Sequence, residues 1–167
     1  ELEQAERFLA IQKHKLGERL NYSIRVPKNL TMQRIPSDVL LPFVKSAVYY
    51  GVMMKRDGGE VTIKGYISGG RCVLEVEDNG LGMPEEEVAR LLAEKPRERK
   101  RGSGVGLINV DSRIRLRFGK EYGLIIESHP DEGMKVTIHI PAIPYTEENQ
   151  QLLEEGKYKA KKQEEKL

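Results

Sequence analysis

Asp78-Asn79-Gly80-Leu81-Gly82 closes the alternating run "RCVLEVE" in a carboxylate followed by two glycines. A carboxylate at a strand end can accept a hydrogen bond from an exocyclic amine such as adenine's. Glycines beside it let bare backbone approach a flat ring. Asn-Gly is also a strong turn signal by itself, so this stretch alone leaves a plain turn standing. A second glycine stretch, Gly102-Ser103-Gly104-Val105-Gly106, runs into a helical pattern that continues from Leu107. Unpaired N–H groups at the start of a helix make a phosphate site. The spacing is neither the dinucleotide Gly-x-Gly-x-x-Gly nor the P-loop, whose lysine is missing. The basic, aperiodic "EKPRERKRGSG" that leads into it fits a loop folding over a nucleotide; a solvated surface loop is the alternative.

The third stretch is "LLPFVKSAVYYGV", Leu40 to Val52. A helix starting near Leu41 takes Pro42 in its first turn, where proline is tolerated. Phe43, Ala47 and Gly51 then share one face, flanked by Val44 and Val48. Ser46 and Tyr50, four apart, share the polar face, with Lys45 adjacent.

The elements around these stretches follow from periodicity. The first 20 residues are helical in pattern, with Leu2, Ala5, Leu9, Leu16 and Leu20 near one face. "YSIRVP" alternates as a short strand, and "LTMQRIPSDV" is a connector. "EVTIKGYI" and "RCVLEVED" are strands with Val61 and Ile63, and Cys72, Leu74 and Val76, on single faces. "PEEEVARLLAEK" is a helix opened by Pro84, and "GVGLINVDSRIRLRF" is one ending at Gly119. "GLIIES" and "MKVTIHIP" pair as a hairpin around "HPDEG". Strands with intervening helices imply an α+β fold, a two-layer sandwich with a mixed sheet and helices on one face. The tail after Pro144 is polar, a solvated or disordered segment.

With 28 Lys plus Arg against 26 Asp plus Glu, the net charge of +2 gives no footprint for nucleic acid. The single cysteine, Cys72, rules out an internal disulfide. No apolar run approaches the roughly 20 residues that cross a bilayer. The chain opens inside a helical pattern, which reads as a piece of a longer protein.

Five stretches in order, "FLAIQKHKLGERL", "IPSDVLLPFVKSAVYYG", "DNGLGM", "GSGVGLINVDSRIRLRFG" and "GMKVTIHIP", resemble the GHKL ATPases with the Bergerat fold. The resemblance is nearest to the catalytic domain of sensor histidine kinases of the LytS/YesM type and covers roughly Glu1 to Pro141. It implies ATP as ligand, Asp78 reading the adenine amine, and Asn79, Gly80 and Gly82 shaping the adenine pocket. Gly102, Gly104, Gly106 and Leu107 match the phosphate-cradling box, and Asn109 a recurrent helix asparagine. It implies phosphoryl transfer to a histidine of a dimerisation domain outside this chain, then to a response regulator. The parent would be a homodimer in the cytoplasm, anchored to a membrane, and this piece a monomer. Residues 1–20 would end the dimerisation helix, 21–144 form the ATP-binding domain, and 145–167 a charged tail.

The chain departs from that pattern in the third stretch. Family members usually read Glu-Asn-Ala there, with His-Gly a turn later; here stand Lys45, Ser46, Ala47, then Tyr50 and Gly51. Lys45 takes the place of the catalytic glutamate and Tyr50 that of the histidine. Ser46 replaces the asparagine that helps hold Mg²⁺, and a serine hydroxyl reaches less far. At about 5 Å and an effective dielectric near 20, a lysine repels a divalent cation by roughly 6–7 kcal/mol before screening and side-chain escape. Gly133-Met134 replaces the family's Gly-Thr. His14, His129 and His139 do not match the phosphoacceptor motif. Two readings follow: a kinase domain with impaired, weakly Mg²⁺-dependent activity, or a non-catalytic nucleotide sensor or scaffold in which Lys45 contacts phosphate.

Overall fold

The computed structural model describes residues 1–93 and 105–159. Helix α1 (Leu2–Leu16) passes through a 3-10 turn (Gly17–Arg19) into strand β1 (Leu20–Arg25). A single helical turn, α2 (Lys28–Thr31), and helix α3 (Leu41–Ser46) lead to β2 (Gly59–Ser68) and β3 (Arg71–Asp78). Helices α4 (Glu85–Ala93) and α5 (Val105–Phe118) precede the hairpin β4 (Gly123–His129) and β5 (Gly133–Pro141), and α6 (Glu147–Glu154) follows.

The sheet has five strands in the order β1-β2-β3-β5-β4. Only β1 and β2 run parallel, with Leu20 opposite Gly59; the other pairs are antiparallel. Parallel pairing needs a long crossover, which α2 and α3 supply. The two-residue strand period puts Val61, Ile63, Cys72, Leu74, Val76, Val136, Ile138 and Ile140 on the covered face, all buried. Helix residues Ala5, Leu9, Phe43, Val44, Val48, Val110 and Ile114 complete that core. The outer face carries charged rows, including Lys135 at 3.8 Å from Glu75. This is the expected mixed sheet with helices on one face.

Three local features differ from the sequence reading. Leu20 is buried, but as the first residue of β1 rather than of the helix. The connector contains α2, whose Leu30 fills space that a side chain at Gly65 would occupy: a Cβ there would lie 2.4 Å from the Leu30 side chain. Helix α3 widens into a π-helical stretch over Ala47–Val52, with Met53 N–H donating to Val48 O at 2.9 Å. A four-residue repeat drifts around an α-helix of 3.6 residues per turn, and wider π turns drift back. The join keeps Phe43/Val44, Ala47/Val48 and Gly51/Val52 on one buried stripe.

The tail packs back on the domain. Leu153 and Tyr158 pack against the core, Phe118 and Tyr158 meet edge-on with centroids 6.3 Å apart, and Arg117 donates to Leu153 O. Thr146 caps α6 through Asn149 N–H at 3.1 Å. The rest of α6 is mostly exposed, and residues 160–167 lie outside the described residues.

Candidate functional site

Asp78 ends β3 on the covered face, opposite Val61 on one side and Met134 on the other. Strand parity aims its side chain at the helical layer, where it is 7% exposed. Its Oδ1 accepts the Gly80 N–H at 2.8 Å. Burial dominates its ionisation and pushes its pKa up to about 6, aided by nearby Glu77; backbone N–H groups of Gly80 and Met134, and Lys55, oppose the rise.

Glycines from three segments close around this carboxylate. A Cβ at Gly51 would lie 2.6 Å from Asp78 Oδ1, and one at Gly80 would lie 2.3 Å from the Gly51 carbonyl carbon. The π turn and the Asp-Asn-Gly loop therefore touch backbone to backbone. Gly133, at φ +117°, stacks on the Asp78 carbonyl, where a Cβ would lie 1.9 Å from the oxygen. Gly82 crosses the β4–β5 turn. Ser128 ties that turn to the loop: its hydroxyl accepts Met83 N–H at 2.9 Å and donates to Gly133 O at 3.1 Å.

Sequence reasoning placed Asp78, Gly80 and Gly82 together, and the structure does bring them together. The resemblance placed Gly51 at the family's His-Gly and Gly133 at its Gly-Thr, but their contacts with Asp78 were not foreseen, and Ser128, which fastens the turn to the loop, was missed. Ser128 had a readable signal: it shares strand parity with Leu124 and Ile126, a hydroxyl on a core face. Asn79 turns away from the cradle. Its Oδ1 accepts Glu60 N–H at 2.7 Å and its carbonyl accepts Lys55 Nζ at 2.8 Å. Gly106 and Leu107 lie in the first turn of α5; Gly102 and Gly104 lie outside the described residues.

Lys45 and Tyr50 are exposed, Tyr50 at 67%, and Ser46 is half-buried. Ser46 and Tyr50 precede the buried Ala47 and Gly51 by one residue each, so they follow the same four-residue spacing. His14 is exposed on α1, and His139 lies on the outer sheet face, half-buried, its pKa lowered by burial and by Arg71.

Asp78 offers a buried acceptor for an amine, and the glycines let the segments around it pack backbone to backbone. The helix face does not suit a divalent cation in the same way. Among the described residues no three His, Cys, Asp or Glu side chains gather to hold a metal. Ser46 offers one neutral oxygen, next to a lysine.

Residues 33–144 match the family model described as histidine kinase-, DNA gyrase B- and HSP90-like ATPase. The chain belongs to this ATPase family. It is 32% identical over 142 residues to the sensor histidine kinase BtsS of Escherichia coli, spanning 84% of this chain and 23% of that protein. With the sensor histidine kinase YesM of Bacillus subtilis it shares 31% identity over 134 residues, 80% of this chain and 22% of the relative. The chain thus spans less than a quarter of these relatives' length. Among solved structures, the mycobacterial sensor histidine kinase MprB superposes with a TM-score of 0.57 at 20% identity, covering 86% of this chain and 95% of that one. The histidine kinase domain from Erythrobacter litoralis EL346 gives 0.55 at 17% identity, covering 83% and 59%. At such identities these two superpositions speak for the fold: the mixed sheet and helical layer of an ATPase of this family.

Proposed function

We propose that the chain is the ATP-binding catalytic domain of a two-component sensor histidine kinase. The observation that carries this is the buried Asp78 carboxylate in its glycine cradle, within a chain of the ATPase family whose full-length relatives are sensor kinases. In this reading Asp78 accepts the adenine amine. Gly51, Gly80, Gly82 and Gly133 let the surrounding segments close tightly enough to hold that carboxylate in place. The phosphates lie toward the Lys45–Ser46 part of the helix and the glycine box that includes Gly106. Phosphoryl transfer itself joins a histidine nitrogen of the dimerisation domain to the γ-phosphorus and releases ADP, and a response regulator's aspartate receives the group next. The parent protein is a homodimer acting at the cytoplasmic side of a membrane. No described helix is itself long and apolar enough to cross one.

A second reading is favoured by a specific observation. Lys45 is exposed on the helix that should carry the metal ligand, and Ser46 is a poor substitute for an amide. A domain that holds nucleotide through Lys45 and does not turn it over would serve as a sensor or scaffold for a partner kinase.

Titration of ATP with and without Mg²⁺ separates the two. The kinase reading expects tighter binding with the metal, and the sensor reading expects none of that gain. Changing Lys45→Glu, Ser46→Asn and Tyr50→His together should raise the metal-dependent gain and the histidine phosphorylation of the parent protein. Equal phosphorylation rates before and after that change would dismiss the impaired site, and no binding of any adenine nucleotide would dismiss both readings.

A further inference from the structure

The helix that runs from Leu41 to Val52 is gripped at both ends by one other segment. At its start the Glu1 carboxylate accepts backbone N–H groups of Asp38 at 2.7 Å, Leu40 at 3.0 Å and Leu41 at 3.3 Å. The helix has no side-chain cap of its own, since Leu40 occupies the capping position. Burial works to raise the Glu1 pKa, but the N–H groups of Leu40, Asp38 and Leu41 bring it below the ordinary value. At the far end the Arg19 guanidinium donates to Met53 O at 3.2 Å and Lys55 O at 3.1 Å. Between these points Ala5 and Leu9 are fully buried, and Phe8 meets Tyr49 edge-on with centroids 5.6 Å apart. An anion at the helix start and a cation at its end both complement the helix dipole.

We propose that Glu1 and Arg19 are positioning residues for the nucleotide site, setting where the helix that bears Ser46 and Tyr50 stands relative to Asp78. The inference rests on the reading of that site as one for an adenine nucleotide. The two grips act on different parts of the ligand. Near Gly51 the helix backbone is already wedged against Asp78 and Gly80, so Arg19 fixes the part that shapes the base pocket. Glu1 holds the start of the helix, on the side of Lys45 and Ser46, and so fixes the part that faces the phosphates. Side chains that hold a helix terminus from another segment couple that segment to the site.

The test uses the 167-residue chain, wild type and the variants Glu1→Gln, Arg19→Gln and Arg19→Lys, titrated with a non-hydrolysable ATP analogue and with adenosine. Measurements are made well below each variant's melting temperature. Glu1→Gln should weaken the ATP analogue by about two- to thirtyfold and leave adenosine within about twofold. Arg19→Gln should weaken both ligands, and Arg19→Lys should restore part of the loss; if Arg19→Gln does not fold, Arg19→Lys carries the comparison. Affinities unchanged in the folded variants would overturn the proposal, as would a Glu1→Gln loss equal for the two ligands. A wild-type chain that binds neither ligand defeats the nucleotide reading instead. Backbone amide shifts of Ser46 and Tyr50 would then decide the grip, and shifts untouched by both substitutions would reject it.

Discussion

The two faces of the helix from Leu41 to Val52 are built on opposite terms. At Gly51 the backbone is pressed against Asp78 and Gly80 with no space for a methyl group. At Lys45 and Tyr50 the side chains stand in solvent. The first face cannot vary without disturbing the sheet it rests on. The second can exchange charge, amide and imidazole for other groups at little cost to packing. In the proposed reading, base recognition is therefore built into the fold of this ATPase domain, whereas the chemistry at the phosphates hangs on a few replaceable side chains.

Gly80→Ala is the harshest way to break that contrast. The new Cβ would sit 2.3 Å from the Gly51 carbonyl carbon, backbone against backbone, with no flexible side chain to yield. Overpacking of this kind costs about 1–3 kcal/mol, and this position belongs at the upper limit. Urea unfolding should show that loss, and nucleotide binding should vanish. Tyr50→Ala, by contrast, should stay within about 0.5 kcal/mol of wild type. Similar unfolding midpoints for the two variants would remove the distinction between a rigid and a free face.

A smaller effect comes from Asp78 and depends on pH. Its pKa is raised from the ordinary 3.8 to about 6 because burial penalises the charge. The folded chain thus binds this proton more tightly than the unfolded chain does. The stabilisation is complete below the ordinary pKa and is lost as pH rises through about 6. A shift of about two units is worth roughly 3 kcal/mol at most. Asp78→Asn should flatten this part of the stability curve and make the empty domain more stable at pH 7.5. The same change should weaken adenine nucleotides by about ten- to a hundredfold, the worth of a charged hydrogen bond. Wild-type affinity should also fall as pH drops below about 6. An unaltered slope of stability with pH in Asp78→Asn would place the titration elsewhere.

What could be read in the sequence was local. Pro42 marks the start of its helix, Gly119 follows the end of α5, and strand alternation sorts Cys72, Leu74 and Val76 to the covered face. Asp78 follows from the same alternation, as the next residue in phase. What was hidden depends on contacts between distant segments. The π stretch has no residue signature of its own; it arises where a four-residue apolar repeat must stay on one stripe while Gly51 meets Asp78. Asn79 carries a recognisable motif, yet its amide is taken by Glu60 of a neighbouring strand. Gly133 matches the glycine of the family's Gly-Thr pair, but its stacking on the Asp78 carbonyl joins two distant segments and leaves no local pattern.

The finest probe of the contrast is Lys45→Ala. Lys45 is exposed and makes no described ion pair, so its loss should change stability by less than about 0.5 kcal/mol. Its effect on ligand binding should depend on the metal. A lysine that meets phosphate directly competes with Mg²⁺ for the same oxygens. Removing it should weaken metal-free ATP by roughly three- to tenfold, the worth of an incompletely buried charged contact. The same removal should leave Mg²⁺-ATP unchanged or bound more tightly, because the repulsion of the cation goes with it. Affinities that fall equally with and without Mg²⁺ would mean that Lys45 serves only as a general attraction for anions. Affinities that do not move would leave it a surface lysine, and the phosphate end of the helix would then rest on Ser46 and the glycine box alone.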